Sequence, residues 1–275
     1  MPARLFAGLD NFRKPASHDM QLIASEVSAP GGLIEGLVVL RVAEPLQRTL
    51  VAESRVSVGL RIAGSAQQWR HGAWETLPRF TLTGVHCSSR TIRTSAGGVL
   101  VLAHLHPAAA AALGVEARQI VDRSCDLSAL WPEQELQVLC DRLVEAPDDA
   151  ARMSLLEEGV AARIADGPAA DAIAFAAVNH IRSNPADIRI SALAQVLGVS
   201  VDTLERRFTA AVGVSPKRFA RAVRLRSAVL SYAADMTLTD VAMGAGYYDQ
   251  SHFVREMQRA TGLAPTLLLP RQTYC

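Results

Sequence analysis

Short apolar runs and long periodic stretches divide the sequence into two parts with different predicted secondary structure. Up to about residue 130, runs of strand length are bounded by turn residues, and long helical periodicity is missing. After that point, apolar residues recur three and four positions apart, as on one face of a helix. The pattern therefore predicts an α+β protein: a small, mostly antiparallel, barrel-like β domain followed by helices. We expect strands at residues 36–42, 55–62, 80–86 and 99–104, and a short helix at 107–113.

Two helices are predicted at residues 132–146 and 148–165, joined at Pro147. Their apolar stripes consist of Leu136, Leu139, Cys140 and Leu143 in the first helix and of Met153, Leu156, Val160 and Ile164 in the second. Both stripes can pack on the β domain, or one of them can mediate self-association. The breaker-rich segment 166–170 predicts an interdomain linker, and a further helix at 172–183 should end before Pro185.

One local sequence pattern occurs twice between residues 193 and 265. The first copy contains Ala194, Gly198, Ser200, Leu204, Phe208, Gly213 and Pro216, and the second contains Ala242, Gly246, Asp249, Phe253, Met257, Gly262 and Pro265. The copies are offset by 48 residues at the first two positions and by 49 at the other five, so the second turn holds one extra residue. Seven matched positions indicate a duplicated structural unit.

Each copy predicts a short helix, a tight turn and a second helix. Glycine tolerates the positive φ of such a turn, and Ser200 and Asp249 are placed to cap the second helix. The apolar markers that follow recur at i and i+4, which leaves a polar face on the other side. A second helix with donors and acceptors on its free face fits the major groove of DNA. For a single copy, an ordinary helical hairpin with a solvated face is the alternative.

The duplicated stretch resembles the DNA-binding domain of AraC-type transcription regulators, which carries two helix-turn-helix motifs joined by a long helix. The matching residues are Leu193, Ala194, Gly198, Val199, Ser200, Leu204, Arg206, Phe208, Gly213, Ser215, Pro216, Arg224, Ala228, Val241, Ala242, Gly246, Tyr247, Asp249, Ser251, Phe253, Arg255, Gly262 and Pro265. The resemblance covers roughly the last hundred residues. Met257 stands where the family usually has Phe, and the segment 264–269 lacks the usual aromatic-Arg closure. Such regulators commonly carry a cupin-like sensor domain first, and residues 1–130 look like a diverged version of it.

The resemblance implies a set of DNA-binding side chains on both second helices and at the start of the long helix. These are Asp202, Thr203, Glu205, Arg206, Arg207, Lys217, Arg218, Gln250, Ser251, His252 and Arg255. Their chemistry agrees, because Arg206 and Arg255 suit guanine, Gln250 suits adenine and Glu205 suits the cytosine amino group. Arg255 can equally pair with Glu256 or Asp249, and Arg206 with an acid elsewhere.

Candidate effector-binding residues in the first part are Trp69, His71, Trp74, His86 and His104. The two tryptophans flank His71 in a predicted loop that rims a cavity, although such residues more often simply pack. His104 and His106 lie two apart, so on a strand they share a face, as paired metal ligands do. The ligand set is thin, because only His86 lies on another predicted strand. We therefore favour histidines with structural or surface roles, and expect neither a metal nor a cofactor.

Length and charge fit this division of the chain. The 275 residues suggest three segments: a sensor domain at 1–130, connecting or dimerisation helices at 131–168, and a DNA-binding domain at 169–275. Residues 1–168 carry a net charge of −3 and residues 169–275 a net charge of +4, which suits nucleic-acid contact through the second part alone. The four cysteines, Cys87, Cys125, Cys140 and Cys275, form no Cys-x-x-Cys pair. They fit a reducing cytosol, with redox sensing as the alternative to incidental thiols.

The sequence thus predicts a cytoplasmic, sequence-specific transcription regulator that acts at a promoter on double-stranded DNA. The resemblance further implies an activator that forms a homodimer, responds to a small-molecule effector and contacts RNA polymerase. No secretory signal is expected in residues 1–12, and no apolar run is long enough for a membrane span. One rival is a metal-dependent cupin-type enzyme. The other is a DNA alkyl-transfer repair protein, which needs a Pro-Cys-His-Arg setting that none of the four cysteines has.

Overall fold

A computed structural model describes residues 20–26, 32–186, 188–232 and 236–265. Within them, the first part of the chain forms strands β1 (Met20–Glu26), β2 (Ile34–Val42), β3 (Leu46–Leu50), β4 (Val56–Ala63), β5 (Ala66–Arg70), β6 (Ala73–Thr76), β7 (Phe80–Thr83), β8 (Arg90–Thr94), β9 (Gly98–Leu105) and β10 (Ser124–Asp126). The helices are α1 (Ala117–Ile120), α2 (Glu133–Glu145), α3 (Asp149–Asp166), α4 (Ala172–Ser183), α5 (Ile190–Val196), α6 (Val201–Val212), α7 (Pro216–Ser231), α8 (Leu238–Gly244) and α9 (Gln250–Thr261). The α+β prediction is therefore confirmed.

The strands form two antiparallel sheets. One has six strands in the order β1-β2-β9-β4-β7-β10, and the other has four in the order β3-β8-β5-β6. The four predicted strands correspond to β2, β4, β7 and β9, although the third ends at Thr83 rather than at residue 86. The helix predicted at 107–113 is instead a pair of 3-10 helices, Pro107–Ala109 and Ala111–Leu113.

The six-stranded sheet has one face against helices and one toward the other sheet. Val39 pairs with Val101, and both are fully buried under α3, which packs on β2 and β9. Their neighbours Leu40 and Leu100 pair on the opposite face. Because side chains alternate along a strand, register assigns the residues of β2, β4 and β9 to one face or the other, except at the irregularities beside Ile34 and Ala63.

The C-terminal helices follow their predicted positions and caps. Ser200 Oγ accepts the Thr203 N–H at 3.2 Å, and Asp249 Oδ1 accepts the His252 N–H at 2.6 Å. Thr237 and Asp240 form a reciprocal capping box at the start of α8. In the part of the chain that the structure describes, no helix has the length and apolar character needed to cross a membrane. The predictions for residues 1–12 and most of 264–269 fall outside the described residues.

The turn after α6 packs directly against the N-terminal part of the chain. Gly213 has φ of +86°, and a Cβ there would lie 2.5 Å from Val121 Cγ2 and 2.7 Å from the Ala117 carbonyl oxygen. Gly262 is the equivalent residue after α9, with φ of +71° and no described atom within 4 Å of such a Cβ. The two copies therefore share a backbone conformation but differ in their surroundings.

We expect Gly213→Ala to destabilise the protein more than Gly262→Ala. Alanine in the left-handed region costs about 1–2 kcal/mol at either position, and at Gly213 the clash with Val121 and Ala117 adds a second loss of about 1–2 kcal/mol. Urea unfolding of both variants measures the difference. Equal losses would mean that α1 does not pack against this turn in solution.

Candidate DNA-binding site

The side chains predicted to bind DNA fall into a free group and an engaged group. The free group is exposed and makes no polar contact with any described residue: Asp202, Glu205, Arg206, Lys217, Ser251 and Arg255. The engaged group has partners within the protein: Thr203, Arg207, Arg218, Gln250 and His252. Arg206 and Arg255 thus keep both guanidinium groups available, and the pairing of Arg255 with Glu256 or Asp249 is not observed.

Residues at equivalent positions in the two copies have similar structural roles. Arg206 on α6 corresponds to Arg255 on α9, and both are exposed. The next residue anchors each helix: Arg207 donates to Asp171 at 2.7 Å, before α4, and Glu256 accepts from Arg224 on α7 at 2.8 Å. The charge is reversed between the copies, but in each an ion pair fixes the helix beside a free arginine.

Glu256 is the centre of a polar cluster beneath α9. Glu256 is 5% exposed. Besides its contact with Arg224, its carboxylate lies 3.8 Å from Arg221 Nε and 3.6 Å from His252 Nε2. Arg224 also stacks over the Tyr247 ring at 4.3 Å. Burial, together with the negative charge of Glu256, raises the pKa of Tyr247 to about 12, so this phenol stays protonated.

Several arginines of the helical part pair with acids of the β domain. Arg218 donates to Asp122 at 2.5 Å, Arg226 lies 3.0 Å from Glu53, and Arg182 donates to Glu35 at 2.5 Å. Arg226 and Arg182 also donate to carbonyl oxygens at 3.1 and 2.6 Å. The sequence analysis did not predict these pairs. No local signal links residues more than 90 positions apart.

The candidate effector residues lie in two different places. Trp69 and Trp74 are cross-strand partners of the β5–β6 hairpin, with ring centroids 5.4 Å apart, and His71 lies in its two-residue turn with φ of +51°. The predicted loop is therefore wrong, because a tight hairpin connects two strands here. Trp69 remains 47% exposed on the face away from the other sheet. His86 and His104 are apart from this hairpin, near Arg90 and Glu53.

The histidines of the metal interpretation have other partners. His104 Nδ1 lies 2.9 Å from Ser57 Oγ, whereas His106 Nδ1 accepts the Ala108 N–H at 3.1 Å and its ring stacks on Phe175 at 4.0 Å. Burial lowers the pKa of His104 and of His106 to about 3. Among the described residues, no three potential ligand side chains come together as a metal site.

The described cysteines are free thiols. Burial, helped by the charge of Asp122, raises the pKa of Cys87 to about 11, and burial also raises the pKa of Cys140. Because the thiolate is the reactive form, both groups are poor redox sensors. Cys275 lies outside the described residues.

Comparison with known proteins addresses the duplicated unit directly. Residues 193–270 match the family model described as a helix-turn-helix domain. The chain carries an AraC-type helix-turn-helix domain at its C-terminal end. A domain of this type marks the protein as a DNA-binding transcription regulator. No curated protein sequence matches the chain.

Several solved structures are similar to this chain. Apo ToxT from Vibrio cholerae strain SCE256 is 11% identical, and the match covers 92% of this chain and 99% of that one with a TM-score of 0.49. A probable AraC family transcriptional regulator from Rhodopseudomonas palustris CGA009 is 29% identical over 33% of this chain and 88% of that one, with a TM-score of 0.30. The C-terminal domain of AraT, a response regulator from Geobacillus stearothermophilus, is 22% identical over 38% and 92%, with a TM-score of 0.34.

Proposed function

We propose that the protein binds promoter DNA with α6 and α9 in successive major-groove segments and regulates transcription in response to a small molecule. Two recognition helices on one protomer suit groove segments about 34 Å apart on one face of the duplex. One protomer then reads a long, asymmetric half-site.

The observation that carries this proposal is the matched pair Arg206 and Arg255. Each is exposed and makes no polar contact with the described residues. The two arginines also occupy the same position relative to the start of their helices. An arginine on a fixed helix can donate two hydrogen bonds to guanine O6 and N7. Arg207 and Arg218 contribute to DNA binding only where their ion pairs with Asp171 and Asp122 open.

We expect Arg255→Ala to remove sequence discrimination at one base pair, at a cost of about 1–3 kcal/mol for the preferred base. Footprinting upstream of the protein's own gene defines the site, and affinity across single-base variants of that site measures the effect. A uniform loss over all variants would contradict base recognition by Arg255.

Lys217 offers the matched control for that experiment. It is exposed at the start of α7 and has no polar partner among the described residues, so a phosphate contact is its expected role. Lys217→Ala should weaken binding to all site variants alike. It should also reduce the slope of log binding constant against log salt concentration by about one.

The remaining parts of the proposal concern the N-terminal half and assembly. We assign the β domain, a degenerate cupin-like barrel within residues 1–130, the role of effector sensor, and residues 169–275 the role of DNA-binding domain. Within 131–168, α3 packs on the sheet, whereas α2 leaves Val138 and Val144 more than half exposed. This supports α2 as the homodimer contact. We further propose that the protein acts in the cytoplasm, as an activator that contacts RNA polymerase.

Gel filtration with multi-angle light scattering tests the assembly, because Val138→Glu should turn a dimer into a monomer. The exposed polar residue Glu133 on the same helix provides a control substitution to glutamine. A monomeric wild-type protein would contradict the dimer and leave the DNA-binding role intact.

A further inference from the structure

The turn of the second helix-turn-helix motif holds one residue more than the turn of the first. Backbone hydrogen bonds identify the extra residue. In the first turn, the Val199 N–H donates to the Ala194 carbonyl oxygen at 3.0 Å. In the second, the Tyr247 N–H donates to the Ala242 carbonyl oxygen at 2.9 Å. Tyr247 is therefore the counterpart of Val199, and Tyr248 has no counterpart in the first copy.

The extra residue leaves the packing of the turn on its helix intact. An apolar residue shortly before a helix commonly packs on the fourth residue of that helix. Tyr247 does so here, because it is 3% exposed and its ring centroid lies 5.2 Å from that of Phe253, the fourth residue of α9. The place that a residue next to the cap would take is thus filled. Tyr248 is left outside and is 88% exposed.

Tyr248 is free as well as exposed. Its hydroxyl makes no polar contact with any described residue. The residues on either side of it are fixed, since Arg224 stacks over the Tyr247 ring and the Asp249 carboxylate caps α9. The backbone therefore holds Tyr248 in place, while its side chain contributes nothing to the packing of the motif.

The position of Tyr248 is beside the residues predicted to contact DNA. Consecutive Cα atoms are about 3.8 Å apart, so Tyr248 lies within about 8 Å of Gln250, the first residue of α9. A helix with its side chains is about 10–12 Å across, and the major groove is about 12 Å wide. A side chain that precedes a helix in this groove therefore meets the phosphates along the edge of the groove.

The opposite end of α9 contacts the β domain. Ser89, in the connection between β7 and β8, donates through its N–H to the Ala260 carbonyl oxygen at 3.0 Å. Its hydroxyl donates to the Thr261 carbonyl oxygen at 3.2 Å. The end of α9 that carries Tyr248 is thus the one that a duplex can approach.

We propose that Tyr248 is a further DNA-binding residue, whose hydroxyl donates a hydrogen bond to a phosphate at the edge of the groove that α9 enters. Tyrosine is among the uncharged residues that donate to phosphate, and such contacts fix the register of a protein on the duplex. The contact belongs to the second motif alone, because the first lacks the residue. This inference rests on the proposed placement of α9 in the major groove.

Tyr248→Phe tests the contact in the full-length protein, because it removes the hydroxyl and keeps the ring. We expect about fivefold weaker binding to the site that footprinting defines, and the same factor on every single-base variant of it. A phenol is uncharged at neutral pH, so the slope of log binding constant against log salt concentration should keep its wild-type value. A loss confined to one base pair, or a changed slope, would overturn the proposal.

Duplexes with a single methylphosphonate identify the phosphate itself. At one position beside the segment that α9 reads, Tyr248→Phe should cost no further affinity, because the methylphosphonate has already removed the same hydrogen bond. Arg255→Ala should still weaken binding to that duplex. If Tyr248→Phe has the same effect at every methylphosphonate position, its hydroxyl does not bind a phosphate.

Met243→Ala is the matched control, since Met243 lies at the start of the same turn and is 60% exposed. It should bind the promoter site as the wild type does. Neither substitution should change the urea midpoint, because both side chains are exposed. An equal loss of affinity in Met243→Ala, or a lower midpoint for Tyr248→Phe, would overturn the proposal, because the effect would then come from the apolar surface or from folding.

Transcription in vitro separates DNA from a protein partner. If Tyr248→Phe keeps wild-type affinity for the promoter but loses transcription, Tyr248 contacts RNA polymerase and the phosphate contact is rejected. Normal DNA binding by the wild type with no effect of Tyr248→Phe also rejects this contact alone. Failure of the wild type to bind any DNA site specifically would instead reject the proposed function.

Discussion

Replacement of Glu256 by glutamine should lower the free energy of unfolding by about 3 kcal/mol and also weaken promoter binding. Glu256 is 5% exposed and accepts from Arg224 at 2.8 Å, with Arg221 and His252 close by. Removal of one member of a buried ion pair leaves the other charge without its counterion, which costs more than the pair contributed. The loss of DNA affinity follows because the same contact holds α9 against α7. Urea unfolding and a promoter titration measure the two effects.

Glu205→Gln is the matched control for this prediction. Glu205 lies on α6, is exposed and has no polar partner among the described residues, so its substitution should leave stability within about 0.5 kcal/mol. The double variant Glu256→Gln, Arg224→Gln should recover part of the lost stability, since the unpaired charge is removed. If Glu256→Gln is as stable as the wild type, the ion pair does not hold α9, and the anchoring role assigned to it is wrong.

The duplicated unit was predictable because its signals are local. Glycine, a capping side chain and apolar residues at i and i+4 lie within about 20 residues of one another, and each acts through backbone geometry or a single face. Which arginines remain free was not predictable. Arg207 and Arg206 are neighbours of the same type, yet only Arg207 meets an acid, Asp171, and that acid is 36 residues away. Such choices are made by tertiary packing alone.

The same reasoning explains the missed strands of the four-stranded sheet. The sequence of β8, Arg-Thr-Ile-Arg-Thr, has an arginine on each face of the sheet, so it lacks the alternation of apolar and polar residues that identifies a half-buried strand. The strand forms because β3 and β5 pair with it.

Acidification from pH 7.5 to pH 5 should destabilise the protein by about 1–2 kcal/mol for each of three enclosed histidines, His86, His104 and His106. Burial lowers the pKa of each to about 3, and Arg90, Arg55 and Arg182 respectively add to the effect. In the unfolded chain the pKa returns to about 6.5. Between these values the unfolded state binds more protons, so stability is complete above about pH 7 and declines as pH falls toward 3.

His106 gives this prediction its sharpest test. Its Nδ1 accepts the Ala108 N–H, so protonation there breaks the bond, whereas asparagine in its place can still accept through its side-chain oxygen. Urea unfolding at pH 7.5, 6 and 5 should therefore show about one third less pH dependence for His106→Asn than for the wild type. His71→Gln, at an exposed turn, should match the wild type at every pH.

Protonation of carboxylates that arginines hold ionised, such as Asp149 and Asp171, lowers the stability of the protein only below about pH 4. Loss of stability between pH 7.5 and 5 therefore reports on histidines, and an unfolding free energy that is constant over this range would mean that these imidazoles are hydrated in the folded protein.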